Sequence, residues 1–206
     1  MNNSEGYIKF DIKWENQKID IPDNIFNNLN SWRKKLYKLN LIGAFDNGVG
    51  FGNISIRVQD LSSFYITGSA TGHLPLLKME HYSLVTNTDI INNSVYCKGL
   101  IKASSESLSH SVFYKSNKNI NSVIHIHNSK LWKYFLHKYP TTSKNAEYGT
   151  PKLAEELESI IKSSNNSYGI IILEGHEDGI FVFGNNINIA GEQVIFLQNK
   201  FIKSYK

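Results

Sequence analysis

A chain of 206 residues with 41% apolar and 12% aromatic content can bury one sizeable core and is short for two, so a single domain over 1–206 is expected. The formal net charge of +4 comes from scattered lysines mixed with acidic residues; with no basic stripe or aromatic–basic motif it excludes nucleic acid as the expected partner and suits a small anionic substrate. One cysteine, Cys97, rules out an intrachain disulfide, no run approaches the roughly 20 apolar residues of a spanning helix, and M-N-N-S-E-G-Y lacks signal-peptide character, so a cytoplasmic protein without membrane contact is expected.

In chain order, residues 24–42 read first as a helix. Ile25, Leu29, Trp32, Leu36 and Leu39 recur at three- and four-residue steps, with Asp23 as N-cap and Gly43 as stop. Segments 52–58 and 62–67 read as strands close enough for a hairpin, and a further strand is expected at 93–99. K-A-S-S-E-S-L-S-H-S-V-F-Y (102–114) reads as a helix starting near Ser104 or Ser105. Leu108 and Val112 lie on its buried stripe, and Glu106 and His110, four apart, stack on another face. A strand at 121–127 follows. In T-P-K-L-A-E-E-L, Thr150 caps, Pro151 takes the first helical position, and Leu153, Leu157 and Ile161 share a face. Strands 168–174 and 179–183 form a second hairpin. The last helix, from about 188 to the C-terminus, aligns Ala190, Val194, Leu197 and Phe201. Hairpins require antiparallel pairing, which argues against a simple doubly wound parallel sheet and for an α/β protein with helices packed on the faces of its sheet.

The chemistry centres on S-V-I-H-I-H-N-S (122–129). Strand side chains alternate, so Ile124 and Ile126 face the core while Val123, His125 and His127 point the other way. Two steps of roughly 3.3 Å separate the histidine Cα atoms, so both imidazoles can reach one ion. A half-exposed strand would equally leave them in water, and the choice depends on further ligands. His176, in L-E-G-H-E-D-G-I-F-V-F-G (173–184), lies at a turn between two strands. Alone it is a surface histidine; with the strand pair it would leave a tetrahedral ion one open position for a substrate oxygen. Ser104 and Ser105 serve as helix caps or, with free N–H groups at a helix start, as an anion site. G-V-G-F-G-N-I-S (48–55) and Y-I-T-G-S-A-T-G (65–72) are glycine-rich turns beside strands. As phosphate cradles they would add backbone N–H groups and the side chains of Asn53, Thr67 and Ser69.

Taken in order, G-N-I-S-I-R, Y-I-T-G-S, A-S-S-E-S-L-S-H, N-S-V-I-H-I-H and a later histidine in a glycine-bounded turn resemble the class II aldolase/adducin family, over roughly residues 24–204. The resemblance implies a three-layer α/β/α sandwich around a mostly antiparallel sheet, and a homotetramer with active sites at subunit interfaces. It implies a divalent metal, usually zinc, with manganese, cobalt or iron as alternatives, on His125, His127 and His176. It implies Glu106 as catalytic acid/base, and Asn53, Thr67, Gly68, Ser104 and Ser105 as phosphate-binding positions. A second proton-transfer residue would come from the segment holding Glu147 and Tyr148. The implied activity is a lyase that cleaves a phosphorylated keto-sugar by retro-aldol reaction through a zinc-stabilised enediolate. Dehydration or 4-epimerisation would use the same site, and an adducin-like domain would keep the fold for binding alone. Two stretches depart from the family pattern: G-H-E-D-G stands where N-H-G is usual, and T-G-S-A-T-G lacks the usual residue before Ser-Gly. Both lie at the edge of the site and bear on substrate more than on metal.

Overall fold

The structure, a computed structural model, describes residues 7–58 and 62–204. The opening M-N-N-S-E-G, the tip of the first expected hairpin and the last two residues lie outside the described residues. The elements are β1 (Asp11–Asn16), α1 (Asp23–Lys38), β2 (Gly43–Ala44), β3 (Gly50–Phe51), β4 (Asn53–Arg57), β5 (Phe64–Thr67), β6 (Tyr82–Asp89), β7 (Ser94–Gly99), α2 (Ser107–Ser116), β8 (Ser122–His127), α3 (Ser129–Phe135), β9 (Thr141–Thr142), α4 (Pro151–Ser164), β10 (Gly169–Leu173), β11 (Gly179–Gly184) and α5 (Ile187–Lys203).

Nine strands form one sheet in the order β1-β7-β6-β5-β4-β8-β11-β10-β9, and β2 and β3 make a separate small hairpin. Both expected hairpins, β4–β5 and β10–β11, are antiparallel pairs. The sheet is mixed: β1 runs parallel to β7 and β9 parallel to β10, so parallel pairing is confined to the two edges. On one face α2 and α4 bury Leu108, Val112, Phe113, Leu153, Leu157 and Ile161 against Phe64, Ile66, Val123, Phe181 and Phe183. On the other, α1, α3 and α5 bury Leu29, Leu36, Leu131, Phe135, Val194 and Leu197 against Ile54, Ile124, Ile126, Ile180 and Val182. The result is the three-layer α/β/α arrangement.

Helix boundaries follow local chemistry. Thr150 Oγ1 accepts the Leu153 N–H and Pro151 opens α4, as expected. At α5 the cap is Asn186, whose Oδ1 accepts the Ile189 N–H. Helix α1 stops at Lys38, before the expected end at residue 42. Asn40 takes a left-handed conformation (φ 54°), and the N–H groups of Asn40 and Leu41 close back onto the carbonyls of Tyr37 and Leu36. That left-handed closure satisfies the last carbonyls without Gly43, which lies in β2 instead. At the other end Asp23 is the first helical residue and Pro22, not Asp23, flanks it.

Candidate active site

Strand β8 lies between β4 and β11 at the centre of the sheet, and its whole length is buried. The alternation places Ile124 and Ile126 in one core, with Val123, His125 and His127 on the α2/α4 side. The sequence expectation of a core face and an opposite face therefore needs correction: both faces are covered by helices, and neither histidine meets bulk water. His176 arrives from the turn between β10 and β11. A Cβ on Gly179 would come within 3.0 Å of the His176 carbonyl and 3.1 Å of the His125 ring, so glycine permits that turn to close under the strand.

The ligand atoms of His125, His127 and His176 all lie within 4.8 Å of one another, and all three residues are buried. His125 Nε2 and His127 Nε2 are 2.9 Å apart. An ion with bonds of 2.0–2.1 Å in tetrahedral array sets its donors roughly 3.3 Å apart, near the spacing of the His125–His127 pair, so the three residues could hold one divalent ion once side-chain rotation closes the wider separations. Burial, reinforced by the neighbouring His127, His176 and His110, holds the His125 pKa well below the ordinary 6.5. A neutral imidazole is the form that ligates, and three of them without a thiolate suit zinc and its first-row neighbours.

Glu106 is also buried. It is the N-cap residue of α2, since the helix begins at Ser107 and not at Ser104 or Ser105. Its Oε1 lies 3.6 Å from His176 Nδ1 and 4.0 Å from His125 Nε2. The expected stacking of Glu106 with His110 is not what the structure has. The His110 N–H donates to the Glu106 carbonyl, but the side chains diverge: Glu106 turns to the histidine triad and His110 to Asn53. Ser104 shapes the turn ahead of the helix, its Oγ accepting the Glu106 N–H and its carbonyl accepting from Ser107.

A pocket of about 200 Å³ opens beside this turn, between the glycine-rich β2–β3 hairpin and the loop after β5. Asn53, Gly68, Ser69, Ser104 and Ser105 all line it. Thr67 does not: its Oγ1 accepts the Ile54 N–H across the β4–β5 pair. No lysine or arginine lines the pocket among the described residues, so an anion there would be held by neutral donors. The loop reaches the hairpin closely, a Cβ on Gly72 falling 2.0 Å from the Gly43 carbonyl. Arg33, buried on α1, holds that loop by donating to the carbonyls of Thr71, Gly72 and Leu74. Sequence reasoning passed over Arg33. Its signal was an arginine at a four-residue step from Leu29, inside the apolar stripe.

Glu147 and Tyr148 part company. Glu147 is exposed and pairs with Lys9 Nζ at 3.7 Å. Tyr148 is buried, its ring 4.8 Å from the His176 ring, with its hydroxyl donating to the Tyr7 carbonyl. Phe51 and Phe45, also passed over, set an aromatic wall 5.8 and 6.5 Å from the His127 ring.

A profile described as "Class II Aldolase and Adducin N-terminal domain" matches residues 39–201, and the chain belongs to that family. Among solved structures it is similar to L-fuculose-1-phosphate aldolase from Thermus thermophilus, with 18% identity and TM-score 0.66 over 89% of this chain and 94% of that one. It is similar to a sugar-phosphate aldolase from Thermotoga maritima at 15% identity and TM-score 0.65, over 86% and 92% of the two chains. It also resembles the N-terminal class II aldolase domain of a conserved protein from Thermoplasma acidophilum, at 12% identity and TM-score 0.63 over 93% and 99%. No curated protein sequence matches it. At these identities the likeness is one of fold. No helix among the described residues is long and apolar enough to cross a membrane.

Proposed function

We propose that this chain is a metal-dependent lyase of the class II aldolase type, cleaving a phosphorylated keto-sugar by retro-aldol reaction. It would act in the cytoplasm as a homotetramer with sites at subunit interfaces. The observation that carries the reading is the seat of Glu106, a buried carboxylate within 3.6 Å of His176 and 4.0 Å of His125, next in sequence to Ser105 of the pocket. Desolvating a carboxylate costs several kcal/mol, on the order of the whole stability of a small domain, and a purely structural scaffold gains nothing from it.

A divalent ion on the triad, zinc first and manganese, cobalt or iron through the same donors, would supply Lewis-acid stabilisation of charge on substrate oxygen. The chain's own groups do the rest. Asn53, Ser104, Ser105 and the Gly68 loop hold the phosphate and so fix the reacting carbon relative to Glu106. As the carbon–carbon bond breaks, the hydroxyl of the departing fragment gives its proton to a second carrier and becomes the new carbonyl. The electron pair stays with the carbonyl-bearing fragment, and Glu106 passes a proton to that carbon. Burial of all four triad and carboxylate side chains keeps bulk water from competing for the same proton. Of the two candidates for a second proton carrier, Tyr148 is the one packed against a ligand.

The test is product analysis by NMR on a panel of ketose phosphates with metal-replete protein. Two carbonyl-derived fragments from one substrate would support the lyase. Water loss or inversion at C-4 as the sole outcome would replace it with a dehydratase or an epimerase. A protein that takes up no metal and turns over no sugar phosphate would instead be a binding domain of the adducin kind.

A further inference from the structure

Behind Asn53 runs a chain of buried polar groups that the triad does not use. Tyr114 Oη lies 2.5 Å from Ser55 Oγ, Ser55 Oγ 2.6 Å from His110 Nδ1, and His110 Nε2 2.5 Å from Asn53 Oδ1. All four residues are buried. Two periodicities meet here: Asn53 and Ser55 are alternate residues of β4, and His110 and Tyr114 are one turn apart on α2.

The direction of every bond in the chain follows from satisfying its protons. Ser55 Oγ is the partner of the Tyr114 hydroxyl, and no other acceptor for that proton is found among the described residues. Tyr114 therefore donates to Ser55, because the reverse would strand a buried O–H. Burial also pushes the Tyr114 hydroxyl pKa far above its ordinary value, so the proton is present. Ser55 has one proton and spends it on His110 Nδ1. His110 is then the tautomer that carries its proton on Nε2, and it donates that proton to Asn53 Oδ1. With Oδ1 committed to His110, the Asn53 Nδ2 keeps its two N–H donors, and Asn53 lines the pocket. Burial holds the His110 pKa down at about 3, which keeps the ring in this neutral form.

We propose that His110 is a positioning residue, which locks the Asn53 carboxamide so that its N–H groups donate to an oxyanion of the substrate in the pocket. The role rests on the pocket's being the anion site of the proposed function. It has weight because, among the described residues, that pocket has no cationic side chain, leaving each neutral donor a larger share of the binding.

Three variants separate this role from simple packing, each loaded with metal and titrated with inorganic phosphate by calorimetry. His110→Phe fills the space and removes the donor; phosphate affinity should fall about tenfold, the worth of one or two hydrogen bonds, with metal content unchanged. His110→Gln keeps an N–H for Asn53 and should restore affinity to within about threefold of the wild type. Ser55→Ala releases the tautomer and should fall between them. Folded His110→Phe protein with wild-type phosphate affinity would overturn the proposal and leave the function standing. Wild-type protein that binds no phosphate would overturn the pocket reading and this proposal together. If His110→Phe does not fold, the imidazole nitrogen shifts of the wild type decide: a protonated Nε2 beside an unprotonated Nδ1 supports the lock, and the opposite tautomer overturns it.

Discussion

On the α1/α3/α5 side of the sheet, β4, β8 and β11 present Ile54, Ile124, Ile126, Ile180 and Val182 to an apolar layer. On the α2/α4 side, the intervening residues of β4 and β8 include Asn53, Ser55, His125 and His127 beside Val123, equally buried. The same backbone thus carries a packing face and a polar face, with one-residue alternation separating them. Burial alone does not say what a face is for. A polar face shut away from water is stable only where its groups are satisfied, and here the Asn53–His110–Ser55–Tyr114 chain achieves this through hydrogen bonds, beside the triad and Glu106. The packing face can be damaged without touching the chemistry, while the polar face couples structure to charge.

The largest effect should come from the triad. His127→Ala should reduce metal from near-stoichiometric to undetectable by elemental analysis and abolish turnover, while the fold persists by circular dichroism. On the opposite face Ile124→Ala should cost about 2–5 kcal/mol in chemical denaturation through lost burial and a residual cavity, with metal per folded chain unchanged. If Ile124→Ala also empties the site, the two faces are not separable as described.

Next in size is Arg33→Leu, which leaves the carbonyls of Thr71, Gly72 and Leu74 without their buried donor and should cost about 2–3 kcal/mol. Because that loop forms one wall of the pocket, phosphate affinity should fall as well, and a loss of stability alone would detach Arg33 from the site. The polar face also makes a pH prediction for the metal-free protein. His110 is neutral when folded, with a pKa of about 3, against an ordinary 6.5 when unfolded. Its contribution is complete above pH 6.5 and is lost as the pH falls from there toward 3, because only the unfolded chain gains the proton. Stability measured across that window should fall by up to tenfold in the folding constant per pH unit for this group, and His110→Phe should have a shallower slope. The smallest effect belongs to Thr150→Ala, which removes the α4 cap and should cost about 1 kcal/mol with no change in activity.

The sequence made much of this legible, and its failures have physical causes. Every expected strand is present within a residue or two of its expected ends, because the β-branched and aromatic runs were bounded by turn residues. Strand β6 was missed: Y-S-L-V-T-N-T-D breaks the alternation where the structure has an irregularity between Val85 and Asn87. Strand β1 was missed as well. D-I-K-W-E-N alternates, but it is a largely exposed edge strand whose partner, β7, lies far off in sequence. That His125, His127 and His176 belong together was legible from residue type and order, and the structure brings them together. Their burial on a face covered by α2 and α4 was not, since alternation says which side a residue faces and not what lies there. The expected stacking of His110 with Glu106 fails for the same reason. Only the register of α2 against β4 reveals that it meets Asn53 and Ser55.

The most direct test is Glu106→Gln, assayed for metal content and for turnover of whichever ketose phosphate the wild type cleaves. The account predicts full metal content with turnover reduced by at least about a thousandfold, because the carboxylate moves a proton beside the triad and does not hold the ion. Loss of metal in Glu106→Gln would make Glu106 a ligand, and full metal with undiminished turnover would remove it from the reaction; either result contradicts the account.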